Sequence, residues 1–237
     1  MKHFSFFRIS FLALIILLFL SAIVPLEKIS LNMESQSLKN GKKSTVTAEI
    51  FYKPSTGIMT IHYLKPIECV FISNAKGEAK IYYPAKNEVY LTQSVAFDTE
   101  KSLLYYFLSN KTSDLGLKDL GFTLSETKYE DKMLITTWEA PFSLAKEFSK
   151  VELVSENYVP IYLGYYNASF KLVKKIYYYQ YSQIQSVKLP LKVVEFNYLP
   201  DGDSVVNRIV YSDVRLNEQA NSPYFNFKVP ENAKIAK

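Results

Sequence analysis

The chain lacks most of the side-chain chemistry that enzymes and metal sites use. Among its 237 residues are one cysteine, Cys69, and two histidines, His3 and His62. One cysteine cannot form an intrachain disulfide, and zinc sites and histidine-dependent triads need more ligands or partners than these. The G-x-S-x-G, H-E-x-x-H, P-loop and G-x-G-x-x-G motifs are also missing. We therefore expect no enzyme activity, no cofactor and no metal site.

Two pairs of carboxylates remain as candidate acid–base groups, and the position of each pair is explained by a turn between strands. Glu130 and Asp131 interrupt two apolar runs, while Asp201 and Asp203 flank Gly202. Asp-Gly sequences favour tight reversals between strands. We therefore interpret both pairs as hairpin loops, and Cys69 as a small buried residue of a strand.

The sequence also has no concentrated charge of one sign. Without residues 1–22 it keeps 26 basic and 23 acidic residues, and no basic run is longer than a pair. Nucleic-acid binding proteins usually carry a basic stripe that neutralises phosphates. We expect no nucleic-acid partner.

The N-terminus has the pattern of a secretory signal peptide. Lys2 and Arg8 precede an uninterrupted run of 14 weakly polar residues, 11–24, which is short for a membrane span. We predict a signal peptide over 1–22 and export, with an uncleaved membrane anchor as the alternative. Residues 23–43 are predicted to form an extended leader, and 44–237 a single domain.

Aromatic residues are abundant, with 19 tyrosines and 16 phenylalanines, and 48% of the chain is apolar. Such residues cover pleated surfaces and line apolar pockets. The chain can therefore bury a core as one domain. Beyond residue 121 the alternation predicts seven strands, at 122–129, 132–140, 150–155, 161–166, 170–180, 191–198 and 205–216.

Residues 57–89 read as antiparallel strands with turns between them, one turn being Asn74 to Gly77. Side chains alternate along a strand, so Met59, Ile61, Tyr63 and Lys65 share one face. The opposite face is not purely polar either. A sheet that is apolar on both faces must be covered by other elements or close around a cavity.

One helix is predicted between the two groups of strands. Asp98 or Thr99 can cap it, and it continues through an apolar run that includes Leu103, Leu104, Phe107 and Leu108. A second helical turn is expected over 113–120. The apolar helix either belongs to the core or covers an apolar cavity as a lid. Trp138, the only tryptophan, either packs in the core or lines the mouth of that cavity.

Short motifs in this order resemble the periplasmic lipoprotein carriers of the LolA type. They are Lys65-Pro66, Tyr82-Tyr83-Pro84, the L-x-P-x-x-V-like step at 189–193 and Phe225-x-Phe227-x-x-Pro230. The resemblance implies a mainly β (α+β) fold, in which one strongly curved antiparallel sheet forms an incomplete, half-open barrel. A few helices would cover its concave apolar face and enclose acyl chains. Lys65 corresponds to the basic residue that helps to hold the carriers' lid closed, which is usually arginine.

The resulting hypothesis is a monomeric periplasmic carrier that binds an acylated lipoprotein or a lipid. It would receive the cargo from an inner-membrane donor and pass it to an outer-membrane acceptor. Its lipid cavity and lid would be built from Met59, Ile61, Tyr63, Lys65, Leu103, Leu104, Phe107, Leu108 and Trp138. Two alternatives are a sensing or regulatory module of the same fold and an ordinary secreted enzyme or surface β-protein.

Overall fold

The computed structural model of the chain describes residues 25–184 and 187–236. The predicted signal peptide lies outside them. Within these two ranges no helix has both the length and the apolar character needed to cross a membrane.

Strands dominate the fold, and those in the described ranges belong to one sheet. In chain order they are β1 (Ile29–Lys39), β2 (Lys42–Lys53), β3 (Ile58–Lys65), β4 (Cys69–Ser73), β5 (Glu78–Tyr83), β6 (Glu88–Gln93), β7 (Thr123–Glu130), β8 (Met133–Glu139), β9 (Lys150–Glu156), β10 (Val159–Tyr166), β11 (Leu172–Ile184), β12 (Val187–Tyr198), β13 (Ser204–Leu216) and β14 (Lys234–Ile235). Each of the seven strands predicted beyond residue 121 is present, with β11 and β12 longer than expected.

The sheet consists of two meanders that meet along one line. Strands β1 to β6 pair consecutively, as do β7 to β13, and β1 pairs with β13 to join them. All pairings are antiparallel except that of the short β14 with β6. The ends of the sheet, β14 and β7, stay apart in the strand order. The predicted single, curved and unclosed antiparallel sheet is confirmed.

The segment predicted as an extended leader supplies a central strand. β1 pairs along its length with both β2 and β13, and its Ile29 and Leu31 are buried. The turn at Asn40 and Gly41 leads directly into β2. The domain boundary predicted at residue 44 falls inside β2, so the sheet does not separate a leader from a domain there.

Residues 99–122, here called the helical cover, contain two short helices where one was predicted. A 3₁₀ turn, Thr99–Lys101, is capped by the Asp98 side chain, which accepts from the Glu100 amide. The α-helix α1 (Leu103–Leu108) then starts at Ser102, whose hydroxyl accepts from the Tyr105 amide. Ser102 has extended backbone angles, φ −79° and ψ 144°, and this break divides the predicted helix. The other 3₁₀ turns are Pro84–Lys86, Val95–Phe97, Phe142–Leu144, Asn217–Gln219 and Pro223–Asn226.

The helical turn predicted over 113–120 is confined to its second half, where the Leu120 amide donates to the Gly116 carbonyl at 3.1 Å; the first half forms other turns. Leu115 and Gly116 have positive φ angles, 46° and 78°, which a right-handed helix does not allow. A Cβ atom at Gly116 would overlap the Tyr106 ring of α1. Gly116 is therefore needed both for its backbone angle and for this close approach.

Both faces of the first meander are covered. The front face, defined by the buried side chains of Ile50, Tyr52 and Met59, joins the main apolar core with the helical cover. The back face carries Phe51 and Tyr82 and packs against residues 217–235, here called the C-terminal cover. Tyr224 stacks on Phe51 with ring centroids 5.3 Å apart, and Phe227 lies 6.1 Å from Tyr82. The two covers thus lie on opposite faces of β2 and β3.

Replacing Gly116 by alanine should destabilise the fold much more than the same change at Gly202. Both glycines have positive φ, but a Cβ at Gly202 would meet nothing within 4 Å. Gly202→Ala should cost about 1 kcal/mol in free energy of unfolding, and Gly116→Ala at least about 3 kcal/mol, because overlap is added to strain. Urea unfolding of both variants measures the difference. Equal losses would show that the Tyr106 ring moves aside freely.

Candidate functional site

The front face and the helical cover bring most of the predicted lid and cavity residues together. Seven of the nine belong to the main apolar cluster or pack against it, namely Met59, Ile61, Leu103, Leu104, Phe107, Leu108 and Trp138. Tyr63 is half-buried farther along β3, and Lys65 is exposed. The pairing register shifts between Thr47 and Ala48, opposite this end of β3. Lys65 therefore lies at the rim of the predicted group.

The helical cover reaches strands from both meanders. Tyr105 packs edge-on against Tyr52 of β2, with centroids 6.3 Å apart, and Phe107 packs against Tyr178 of β11 at 5.2 Å. Farther along, the Lys118 ammonium lies 5.9 Å from the Trp138 ring of β8. The cover thus spans the seam between the meanders through side-chain contacts.

Two buried hydroxyl groups in and beside this interface have no hydrogen-bond partner among the described residues. They belong to Tyr106 of α1 and Tyr178 of β11, which are only 1% and 2% exposed. A buried polar group without a partner costs about 1–3 kcal/mol. The closed interface is therefore weaker than its apolar area alone would make it.

The environment keeps these phenols protonated. Burial raises the pKa of Tyr178 well above its usual value, and the neighbouring Tyr165 adds to the shift. Burial also raises the pKa of Tyr106 to about 12, with further contributions from Asp119 and Asp114. Both groups are hydrogen-bond donors near neutral pH. Tyr178 could donate to a carbonyl or ester oxygen that entered between cover and sheet, whereas the Tyr106 hydroxyl lies against Gly116 within the cover.

His62 holds the C-terminal cover on the back face. Its Nδ1 lies 3.1 Å from a Glu49 oxygen, and its Nε2 lies 3.2 Å from both a Glu68 oxygen and the Tyr224 hydroxyl. The Tyr224 ring stacks on the imidazole with centroids 4.3 Å apart. No grouping of His, Cys, Asp and Glu within the described residues suits a metal ion. We interpret His62 as a structural anchor.

A groove of about 1080 Å³ runs beside the C-terminal cover on the back face. None of the nine predicted site residues lines it. Its apolar lining includes Ile72, Leu91 and Phe227. The sequence carried a signal for it, since the alternation in β3 left neither face polar and the Phe225-x-Phe227 motif lies far along the chain. Alternation alone does not show which row of the back face the C-terminal cover leaves open.

Tyr178→Phe should raise the free energy of unfolding by about 1 kcal/mol, because it removes an unpaired buried hydroxyl. Tyr181→Phe is the matched control on the same strand, since its hydroxyl donates to the Pro160 carbonyl. Losing that bond should lower the free energy of unfolding by about 1 kcal/mol. Thermal and urea unfolding compare the two variants. Destabilisation by both would mean that the Tyr178 hydroxyl has a partner in solution.

Alkaline pH should unfold the protein through its buried tyrosines. The pKa of Tyr106 and of Tyr165 is raised to about 12, mainly by burial, so folding favours the neutral phenols. Their stabilising contribution is complete below the unfolded value of about 10 and is lost as pH rises through the folded values. We expect stability to fall between about pH 10 and 12. Tyrosinate absorbance and circular dichroism should then change together; ionisation of all 19 tyrosines before any unfolding would contradict this.

Comparison with known proteins gives the fold but no close relative. No protein-family profile and no curated protein matches the sequence. A DUF1329 family protein from Desulfovibrio piger superposes with a TM-score of 0.57 at 14% identity, over 86% of this chain and 91% of that one. A LolA superfamily protein from Nitrosomonas europaea gives 0.56 at 14% identity, over 85% and 91%.

A third similar structure comes from Vibrio parahaemolyticus. It is a domain provisionally assigned to an outer membrane lipoprotein-sorting protein, with a TM-score of 0.55 at 12% identity, over 84% of this chain and 89% of that one. Sequence identities this low support a likeness of fold alone. Taken with the curved, unclosed sheet, the three likenesses show that the chain has a LolA-like fold.

Proposed function

We propose that the protein binds the acyl chains of a lipid or lipoprotein between the front face of its sheet and the helical cover. The helical cover would act as a lid over the concave side of the sheet. The observation that carries this proposal is the interface itself, which is apolar, spans both meanders and includes the buried Tyr178 hydroxyl, which has no described partner. The likeness to a lipoprotein-sorting domain and to a LolA superfamily protein supports the same class of ligand.

Opening of the helical cover is the step that admits the ligand. The cover contains one α-helix of six residues, followed by turns in the region of Leu115 and Gly116. Exposing its apolar contacts costs about 25 cal/mol for each Å². An acyl chain that takes the place of the cover gains about 0.8 kcal/mol for each buried methylene. Ligand burial therefore offsets the cost of opening.

The unpaired Tyr178 hydroxyl would make the site bind acyl groups more tightly than plain hydrocarbon. An acyl chain begins at a carbonyl, and ester or amide oxygens accept hydrogen bonds. Tyr178 would donate to that oxygen, and the cost of its unpaired buried hydroxyl would be removed. Binding then requires no covalent step, and we propose a carrier that has no catalytic activity.

The cellular setting follows from the same proposal. Cleavage of the signal peptide at 1–22 would release a periplasmic monomer that collects cargo from an inner-membrane donor. The acceptor would be at the outer membrane. Because a buried acyl chain dissociates slowly into water, transfer needs a second apolar site that offers equal burial.

The test is native mass spectrometry of the signal-processed protein purified without detergent, followed by organic extraction. We expect an extractable acyl species that is lost in Leu104→Asp, because the new carboxylate would lie in the apolar interface. Leu104→Met preserves the apolar contact and should retain the ligand. Leu38→Asp, at a residue that is 47% exposed on β1, controls for adding a charge elsewhere.

Fluorescence of Trp138 gives a second readout, because this residue is 3% exposed and belongs to the interface cluster. An acylated peptide should change its emission in the wild type and in Leu104→Met. A wild-type protein that takes up neither lipid nor acylated peptide would overturn the carrier proposal. A sensing or protein-binding module of the same fold would then be favoured.

A further inference from the structure

The floor of the back-face groove is a row of side chains that the pairing register of four strands brings into line. The pairings Thr60 with Ile72, Ile72 with Lys80, and Lys80 with Leu91 place four side chains in one row across β3 to β6. Strands are about 4.8 Å apart, so this row is about 14 Å long. It presents two apolar side chains together with the aliphatic stem of Lys80.

The C-terminal cover lies mainly on the adjacent row and leaves only part of this one open. Thr60 is buried and Ile72 is half-buried, whereas Lys80 and Leu91 are exposed. The adjacent row runs from His62 through Val70 and Tyr82 to Val89. Val70, Tyr82 and Val89 are buried under the cover, whose Phe227 and Val229 contact them. The edge of the C-terminal cover therefore forms a wall beside a partly open floor. Leu91 on that floor remains 55% exposed.

The charges around the groove are mainly positive. Lys53, Lys80 and Lys228 line it, against one carboxylate, Glu78. Glu78 accepts a hydrogen bond from the Asn74 side chain at 2.7 Å, and Lys53 donates to the Asn226 side chain at 3.2 Å. Within the described part of the chain none of the three lysines forms a salt bridge. Lysine stems can cover apolar floor while their ammonium groups reach water at the rim.

The backbone of the floor favours a hydrocarbon chain over a polypeptide. β3, β4 and β5 are each paired on both sides, so their amide and carbonyl groups are used within the sheet. A peptide lying across these strands would lose hydration of its own amides without a strand edge to pair with. An alkyl chain has no such groups to satisfy. A volume of about 1080 Å³ lies just above the usual range for small-molecule sites, about 300–1,000 Å³.

We infer that this groove is a second binding site, for a long-chain fatty acid, whose alkyl chain lies along the Ile72 and Leu91 row and whose carboxylate pairs with the rim lysines. This site is separate from the acyl site proposed on the front face. The two lie on opposite faces of the sheet and share no lining residue, so the inference does not depend on the proposed carrier function. Lys80 and Lys228 supply the positive charge, and Phe227 and Val229 supply the wall.

Calorimetric titration of the delipidated protein with a fatty acid, kept below its micellar concentration, tests the site. Leu91→Asp, made in the Leu104→Asp background so that the front-face site does not contribute, should weaken binding at least about tenfold, because it places a carboxylate on the apolar floor. The double variant Lys80→Glu/Lys228→Glu should weaken it about tenfold or more, because the charge at the rim is reversed. Lys132→Glu, in the turn between β7 and β8, is the matched control and should bind like the wild type.

Two further comparisons separate this site from the front face and from other ligands. Leu104→Asp, in which the proposed front-face site is disabled, should still bind the fatty acid. That binding should leave Trp138 emission constant, because Leu104 and Trp138 belong to the main apolar cluster and do not line the groove. If Leu104→Asp abolished fatty-acid binding and Leu91→Asp did not, the ligand would lie on the front face and the inference would be overturned. Equal affinity for the matching long-chain alcohol, or no binding by the wild type, would overturn it as well. An acidic apolar peptide that displaced the fatty acid would assign the groove to polypeptide.

Discussion

The structure depends on one constraint, which is that the strands of the first meander are apolar on both faces. A single sheet cannot bury both of its own faces, so each needs a separate cover. Residues just after the first meander supply the cover of the front face, and residues at the C-terminal end of the described chain supply that of the back face. The candidate site and the groove both lie where a cover meets this sheet.

The sheet was predictable from local pattern because alternation and turn residues act over short distances. Asn74 illustrates this, since its side chain accepts from the amides of Lys76 and Glu78 and fixes the turn between β4 and β5. In the second meander, the polar break at Glu130 and Asp131 separates two apolar runs, and the chain reverses there. The grouping of Met59, Phe107 and Trp138 was expected from the family resemblance, and these residues do share one cluster. The sequence pattern does not predict whether this cluster opens to admit a ligand.

The remaining features depend on contacts between distant residues. Tyr224 and His62 are 162 positions apart, and nothing near either residue indicates that their rings stack. The break at Ser102 was missed because apolar periodicity continues through it, while the serine hydroxyl, which caps α1, decides where the helix begins. The back-face groove was missed because its floor needs the register of four strands and its wall needs the C-terminal cover.

The order of the strands has a consequence for how the chain folds. Each meander is built from neighbours in sequence, and such local pairings form quickly. The seam is different, because it pairs the first strand, β1, with β13, which lies near the other end of the chain. Beside the seam, the Asn217 side chain accepts a hydrogen bond from the Glu27 amide, 190 positions away. Closing so long a loop carries the largest entropic cost in the fold. A chain that emerges from its N-terminus must therefore keep one edge of β1 unpaired until its last strands arrive, and during that time the exposed edge is open to pairing with other chains.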